Sequence, residues 1–356
     1  MPKELDALLT QTSEWLRGVG PSSEIVMSSR IRLARNLEHF PFATRATDTS
    51  RSDVLRLVQE GVRHASSLRN PLSLELGSLD EVSRQFLVER HLISREHASS
   101  PEHRGVVIGP GEVISVMINE EDHLRVQVMQ SGLSLREAWA LIDALDDELS
   151  EALPFAYSSD WGYLTCCLTN AGTGLRASVM VHLPALVITK QINKVLHAIT
   201  KLGLTARGLY GEGTEALGNF FQMSNQVSLG RGEEEIVENI ERIMKQVIGH
   251  EQTAREGLTT SNRLQLEDRI WRAYGVLRHA QTITSNETLD LLSAVRLGVD
   301  VGIMTHVNRP TINDLLILSQ PAHLQKLDGS KLSAQERDSK RAGLIRQRLN
   351  ATEHDS

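Results

Sequence analysis

The chain has 356 residues, 40% of them hydrophobic and 23% charged, with a formal net charge of −7. That length predicts about two domains, and the acidic balance argues against a general nucleic-acid binder. No apolar run is long enough to span a bilayer, and the opening MPKELDALLTQTSEWLRG has no signal-peptide core. The two cysteines, Cys166 and Cys167, are neighbours that cannot staple distant segments. A cytoplasmic protein is expected.

In chain order, the N-terminal segment predicts a short helix ending near GVGPSS. EIVMSSRIRLARNL reads as a strand, with Ile25, Met27, Ser29 and Ile31 on one side and Arg30 and Arg32 on the other. Residues 48–98 read as mostly helical. VISVMINEEDHLRVQVM, Val113–Met129, alternates apolar residues in both arms: Ile114, Val116 and Ile118, then Leu124, Val126 and Val128. That pattern predicts two strands joined by the acidic turn Asn119–His123. The turn has no Gly and no primed-turn dipeptide, so alone it reads as a solvated loop. LSLREAWALIDALDDELSEAL predicts an amphipathic helix, with Ser134 and Glu137 spaced as a capping box.

YLTCCLTNAGTG follows as a short strand and a glycine loop, and LRASVMVHL as another strand. PALVITKQINKVLHAITKLG reads as one helix, with Pro at its start and Gly203 at its end. TARGLYGEGTEALGNFFQMSNQVSLG reads as strand, loop, strand. From Arg231 onward the pattern is nearly all helix. The fold class expected is α+β: a central antiparallel sheet flanked by helices over residues 1–255, then a helical C-terminal domain over 256–356.

The stock nucleotide motifs do not fit. There is no G-x-x-x-x-G-K-[ST]. GEGTEA, from Gly211 to Ala216, lacks the crossover helix that a dinucleotide fold requires. No second histidine stands at ligand spacing from His123, and no metal ligand set is expected. What does stand out is arginine beside strands and glycine loops: Arg30, Arg32, Arg125, Arg176 and Arg207. If those strands are neighbours, one sheet face carries several guanidiniums and needs anions to compensate it. A triphosphate would supply them, since guanidinium forks bind phosphate oxygens bidentately.

Five segments together resemble the phosphagen (guanidino) kinase family, and within it a bacterial branch that phosphorylates arginine in proteins. They are SSRIRLARN (Ser28–Asn36), NEEDH (Asn119–His123), CLTNAGTGLRASVM (Cys167–Met180), RGLYGEGTE (Arg207–Glu215) and RDSKRA (Arg337–Ala342). The resemblance implies nucleotide contacts at Ser28, Ser29, Arg30, Ile31, Arg32, His91 and Arg125. It implies further contacts at Arg176, Ala177, Ser178, Val179 and Met180, and at Arg207, Gly208, Leu209, Tyr210, Gly211 and Glu212. It implies Glu121 as catalytic carboxylate, Glu212 as the acid that holds the guanidino group, and Cys167 as the reactive cysteine beside it. It also implies a phosphoarginine pocket for allosteric control at Arg337, Asp338, Ser339, Lys340, Arg341 and Ala342. One departure is Leu168, where the family usually has Pro after the cysteine.

The reaction so implied moves the γ-phosphate of ATP, with Mg2+, onto a guanidinium nitrogen. One acid orients the guanidine and takes its proton, a second clamps it, and the arginines neutralise the phosphates. Only about twenty residues precede the arginine strand, too few for the domain that closes over small guanidines, so arginine exposed on a protein is the expected acceptor. The family also implies a homodimer, an activator protein, a heat-shock repressor as substrate and a Clp-type protease that degrades marked proteins. Leu289, Leu292, Val295 and Val299 form an apolar stripe suited to a dimer interface or to the domain's own core. Three rival readings are a kinase for free arginine, a non-catalytic adaptor that reads phosphoarginine, and a metal-dependent hydrolase or ligase using the acidic turn.

Overall fold

Period-2 alternation of apolar residues produces the strands, and the longer 3.6-residue pattern the helices that cover them. A computed structural model describes residues 3–208 and 216–354. It begins with α1 (Lys3–Thr10), β1 (Val26–Arg35), α2 (Asp48–Arg63), β2 (Leu72–Glu75), α3 (Glu81–Glu89) and α4 (Arg95–Ser99). Next come β3 (Gly105–Ile108), β4 (Ile114–Ile118), β5 (Leu124–Ser131), α5 (Leu135–Ala152), β6 (Tyr157–Ser158) and β7 (Gly162–Tyr163). Then follow β8 (Leu175–His182), α6 (Pro184–Ile188), α7 (Ile192–Lys201), β9 (Leu204–Gly208) and β10 (Phe220–Asn225). The remainder is helical: α8 (Glu233–Ser261), α9 (Arg263–His279), α10 (Ser285–Asp300), α11 (Arg309–Leu318), α12 (Pro321–Asp328) and α13 (Ala334–His354).

Eight strands form one antiparallel sheet in the order β2-β3-β4-β5-β1-β8-β10-β9. Alternation gives it two chemically different faces. Ile31, Leu33, Val126, Val128, Ala177 and Val179 are buried on the face covered by α5 and α8. Arg35, at the end of β1, ties this layer together: it pairs with Asp146 of α5 at 2.7 Å and donates to the Thr173 carbonyl at 2.9 Å.

The C-terminal helices are not a detached unit. Glu251 of α8 accepts from the amides of Ala185 and Leu186 at 3.1 and 3.0 Å, and from Arg255 at 2.9 Å. Arg296 of α10 donates to Asn313 and to the Ser23 carbonyl at 2.7 and 3.0 Å. Leu289, Leu292 and Val295 are buried in the chain's own core.

Several local expectations meet a different outcome. β2 and β3, only four residues each, stand within or beside the stretch read as helical or left unread. The single helix after Pro184 is two helices, broken at Lys190, whose φ is 59°. Ser134 precedes α5 but makes no cap bond: its hydroxyl donates to the Ser131 carbonyl and its N–H to Ser29 Oγ.

Candidate active site

The face opposite the core carries the arginines. Arg32 is paired across β1 with Gln127 on one side and Arg176 on the other, Arg30 with Met129 and Ser178, and Arg125 with Ala34. Gln222 of β10 stands between Met180 and Arg207. Arg30 Nε donates to Ser178 Oγ at 3.4 Å, Gln222 donates to the same oxygen at 3.1 Å, and Arg176 donates to Ser224 Oγ at 3.0 Å.

Among the described residues none of Arg30, Arg32 and Arg176 has a carboxylate in ion-pair contact, and the Nε atoms of Arg32 and Arg176 are enclosed without a hydrogen-bond partner. Burial, then repulsion from Arg176 and Arg125, lowers the pKa of Arg30 to about 10. Burial and then Arg30, Arg125 and Arg176 push Arg32 in the same direction, with Glu120 opposing. Arg176 is lowered by burial, then by Arg207 and Arg125. A row of enclosed like charges is costly unless an anion compensates it. The row is therefore suited to a polyanion.

Arg30 and Arg32 open into a cleft of about 690 Å³, walled with them by Arg125 and Gln127 on the sheet, by Val88 of α3 and by His91 and Ile93 just after it. Its size is that of a small-ligand pocket. His91 adopts a φ of 61°, and its carbonyl accepts from Gln127 Nε2 at 2.6 Å. Burial, then the nearby Arg30 and Arg95, lowers its pKa to about 3, so the ring is neutral beside the cations.

The acidic turn between β4 and β5 is not a solvated loop. Glu120 is buried; it accepts from Ser94 Oγ at 2.7 Å and pairs with Arg125 Nη1 at 2.7 Å. Burial acts to raise its pKa, but Arg125, the Ser94 hydroxyl and the Glu121 amide outweigh it and hold the carboxyl below its ordinary value. Glu121 behaves oppositely. Its side chain is 39% exposed, 3.1 Å from Arg125 Nη2. Burial, reinforced by Asp122 and Glu120 and opposed by Arg125, raises its pKa. Of two adjacent carboxylates, Glu120 anchors Arg125 and Glu121 is the accessible group with the greater affinity for a proton.

Asp122 and His123 lock this turn to distant chain. Asp122 Oδ1 accepts from Asn36 Nδ2 and from the Cys166 amide, both at 2.7 Å, which places the turn beside the cysteine loop. His123 Nδ1 accepts from the Leu37 amide at 3.0 Å, which leaves Nε2 to carry the proton and donate to the Pro41 carbonyl, also at 3.0 Å. That imidazole is a structural tie. Cys167 Sγ is 3.0 Å from Thr169 Oγ1, and Leu168 is 85% exposed beside it. The loop returns to the sheet at Gly174, where φ is 68° and a Cβ would stand 2.6 Å from the Ala34 carbonyl oxygen.

Contiguous stretches named from sequence divide by strand parity. Ser28, Arg30, Arg32, Arg176, Ser178 and Met180 share the cleft face, whereas Ser29, Ile31, Ala177 and Val179 point into the other layer. Arg207 and Gly208 end β9; Leu209, Tyr210, Gly211 and Glu212 lie outside the described residues. In α13, Arg341 is 1% exposed and donates to the Ser319 and Ile283 carbonyls at 2.7 and 2.8 Å and to Asp338. Arg337 donates to the Leu332 carbonyl at 2.8 Å, Ala342 is buried, and Ser339 and Lys340 line a surface groove against α12. Sequence reasoning missed Asn36, Asp122 and Glu120 as organisers, although all three lie inside the quoted motifs.

The chain matches the model of the ATP:guanido phosphotransferase C-terminal catalytic domain over residues 54–254, and that of the protein-arginine kinase McsB C-terminal domain over 263–356. It is 51% identical to a protein-arginine kinase of Desulforamulus reducens, over 95% of this chain and 96% of that protein. It is 44% identical to one of Bacillus subtilis, over 95% of this chain and 93% of that protein. Among solved structures it resembles a lombricine kinase, with a TM-score of 0.59 and 26% identity over 72% of this chain and 78% of that one. It also resembles a duplicated taurocyamine kinase of Schistosoma mansoni with bound transition-state-analogue components, with a TM-score of 0.60 and 28% identity over 66% of this chain and 34% of that one.

Proposed function

The chain belongs to the ATP:guanido phosphotransferase family, and within it to the protein-arginine kinases, and from that premise we propose how its residues divide the work of phosphorylating arginine. ATP lies in the cleft with its phosphates along Arg30, Arg32, Arg125, Arg176 and Arg207, assisted by Ser28, His91 and Ser178. The acceptor guanidinium lies at the acidic turn. Its proton is bound with a pKa above about 12, so a carboxylate must take it as the P–N bond forms. Glu121 is that base. The bond from the γ-phosphorus to the ADP oxygen breaks, the P–N bond forms, and the nitrogen's proton passes to Glu121.

The observation that carries this reading is the uncompensated arginine row ending beside a proton-seeking, half-exposed carboxylate. Glu212 is the second clamp on the guanidine, and Cys167 lies beside the same group. Mg2+ arrives with the nucleotide. Glu89 is committed to backbone amides of α12, and Glu120 to Arg125 and Ser94, so neither would be free to hold the ion, which would depend mainly on the nucleotide itself. Bound there with the nucleotide, it would supply charge neutralisation at the phosphates, beside the arginines that hold them.

Arginine on a polypeptide is the acceptor in this reading. Its support is the open surface beside Cys167, where Leu168 is 85% exposed. The reading includes a cytoplasmic homodimer, an activator protein, a heat-shock repressor among the substrates, and a Clp-type protease that consumes the products. It retains the segment Arg337–Ala342 as a phosphoarginine pocket. The test supplies Mg-ATP with either free arginine or an unfolded arginine-rich protein, followed by phosphorus NMR and mass spectrometry. Acid-labile phosphate on protein arginine is the expected product. Phosphate on free arginine alone would overturn the acceptor assignment and keep the chemistry.

A further inference from the structure

We propose that the helical C-terminal region completes the nucleotide site: Gln320 and Pro321 form a wall against the nucleoside, and Glu89 is the positioning residue that holds that wall in place. This rests on reading the cleft as the nucleotide site. Gln320 and Pro321, at the start of α12, line the same cleft as Arg30 and Arg32 although almost 290 residues separate them in the chain. Two walls of opposite character result. The sheet wall is cationic, whereas Val88, Ile93 and Pro321 offer apolar surface of the kind a purine ring needs. Gln320 Nε2 is committed to the Leu316 carbonyl at 2.9 Å. The side chain still offers a ligand its amide oxygen, an acceptor for an exocyclic amine or a ribose hydroxyl, and its second N–H.

Glu89, the last residue of α3, fixes α12 at this position. Its carboxylate accepts from the Ala322 amide at 2.8 Å, from the His323 amide at 3.0 Å and from His323 Nδ1 at 2.8 Å. The His323 ring lies 4.5 Å from that of Phe86, and both are fully buried. A negative charge at a helix N-terminus is favourable, and three charge-assisted bonds in a buried setting make a strong cross-tie. The same tie occupies the amides of α12, so that helix end is not an anion site and phosphate binding is left to the arginines. Nucleotide affinity thus depends on a region outside the catalytic sheet.

Calorimetry on the full chain with two probes tests this. Mg-ADP reports both walls, and inorganic tripolyphosphate reports the arginine wall alone. Gln320→Ala and Glu89→Gln are expected to weaken Mg-ADP about three- to tenfold, the effect of losing one or two hydrogen bonds. Tripolyphosphate affinity and the KM for the arginine acceptor are expected to stay unchanged in both. Unchanged Mg-ADP affinity in Gln320→Ala would overturn the proposal, as would an equal loss for tripolyphosphate, which would mean general disruption. Arg32→Met separates the underlying reading: it is expected to weaken both probes, and if it weakens neither, the cleft is not the nucleotide site and the proposal falls with it.

Discussion

Replacing Arg32 by Met should make the nucleotide-free protein more stable and the enzyme nearly inactive. Met keeps most of the unbranched stem and removes the charge. Arg32 stands directly opposite Arg176 and two residues from Arg30 on its own strand, with Arg125 also close enough to depress its pKa. At roughly 7 Å and an effective dielectric constant of about 20, each like-charged neighbour costs about 2 kcal/mol. Glu120 offsets part of this, and the guanidinium opens toward solvent in the cleft. A net gain of about 1–2 kcal/mol in unfolding free energy remains after screening. The rate should fall roughly 100- to 1000-fold, as when one preorganised electrostatic contact to a transition state is removed. Urea denaturation without nucleotide, at low and high salt, reads the first effect, and the gain should shrink as salt rises. Adding tripolyphosphate should reverse the order, because the wild-type row then has its counter-ion. A variant that is less stable than wild type yet transfers phosphate at a similar rate would refute the reasoning and make the row structural.

Three other perturbations separate scaffold from chemistry. Asp122→Ala leaves two buried donors, Asn36 Nδ2 and the Cys166 amide, without an acceptor; it should lower stability by about 2–5 kcal/mol and depress kcat, and Asp122→Asn should rescue most of both, read by urea midpoint and turnover. Arg341→Met strands the Ser319 and Ile283 carbonyls and the Asp338 carboxylate, with an expected loss of about 3–5 kcal/mol, whereas an unchanged urea midpoint would mean that Arg341 is not a buried cross-tie. His97 is buried and neutral, with Nε2 bonded to the Gly105 carbonyl, and burial lowers its pKa to about 4. The unfolded chain binds its proton first as pH falls, so stability should be full above about 6.5 and decline toward pH 4 by up to about 1.4 kcal/mol per unit. His97→Gln should make that part of the profile shallower, with His91 still contributing, and an unaltered slope would place the acid sensitivity elsewhere.

Much of this was legible in the residues, because strand parity is a local property. The strand readings in Val113–Met129, around Arg30 and Arg32, and in LRASVMVHL located all four central strands and put Arg30 and Arg32 on one face. Short edge strands such as β2 gave too few alternations to be seen. The break at Lys190 carries no Gly or Pro to announce it, and the cap at Ser134 lost to a long-range bond with Ser29 and a local one with the Ser131 carbonyl. At the site, the acidic turn was found, but its burial was not. Asn36, Leu37 and Pro41 reach it from more than eighty residues away, and no periodicity reports such partners. The tie from Glu89 to α12 spans 233 residues and was invisible for the same reason.

The central claim is that a proton-accepting Glu121 works beside an arginine-lined phosphate site. It is tested most directly by Glu121→Gln, measuring Mg-ATP affinity by calorimetry and phosphoryl transfer to a protein arginine acceptor on one preparation. The account predicts near-wild-type nucleotide affinity with transfer reduced at least about 100-fold. It also predicts that the wild-type acid limb lies above the ordinary carboxyl value and vanishes in the variant. Transfer at the wild-type rate in Glu121→Gln, with the acid limb unmoved, would contradict it.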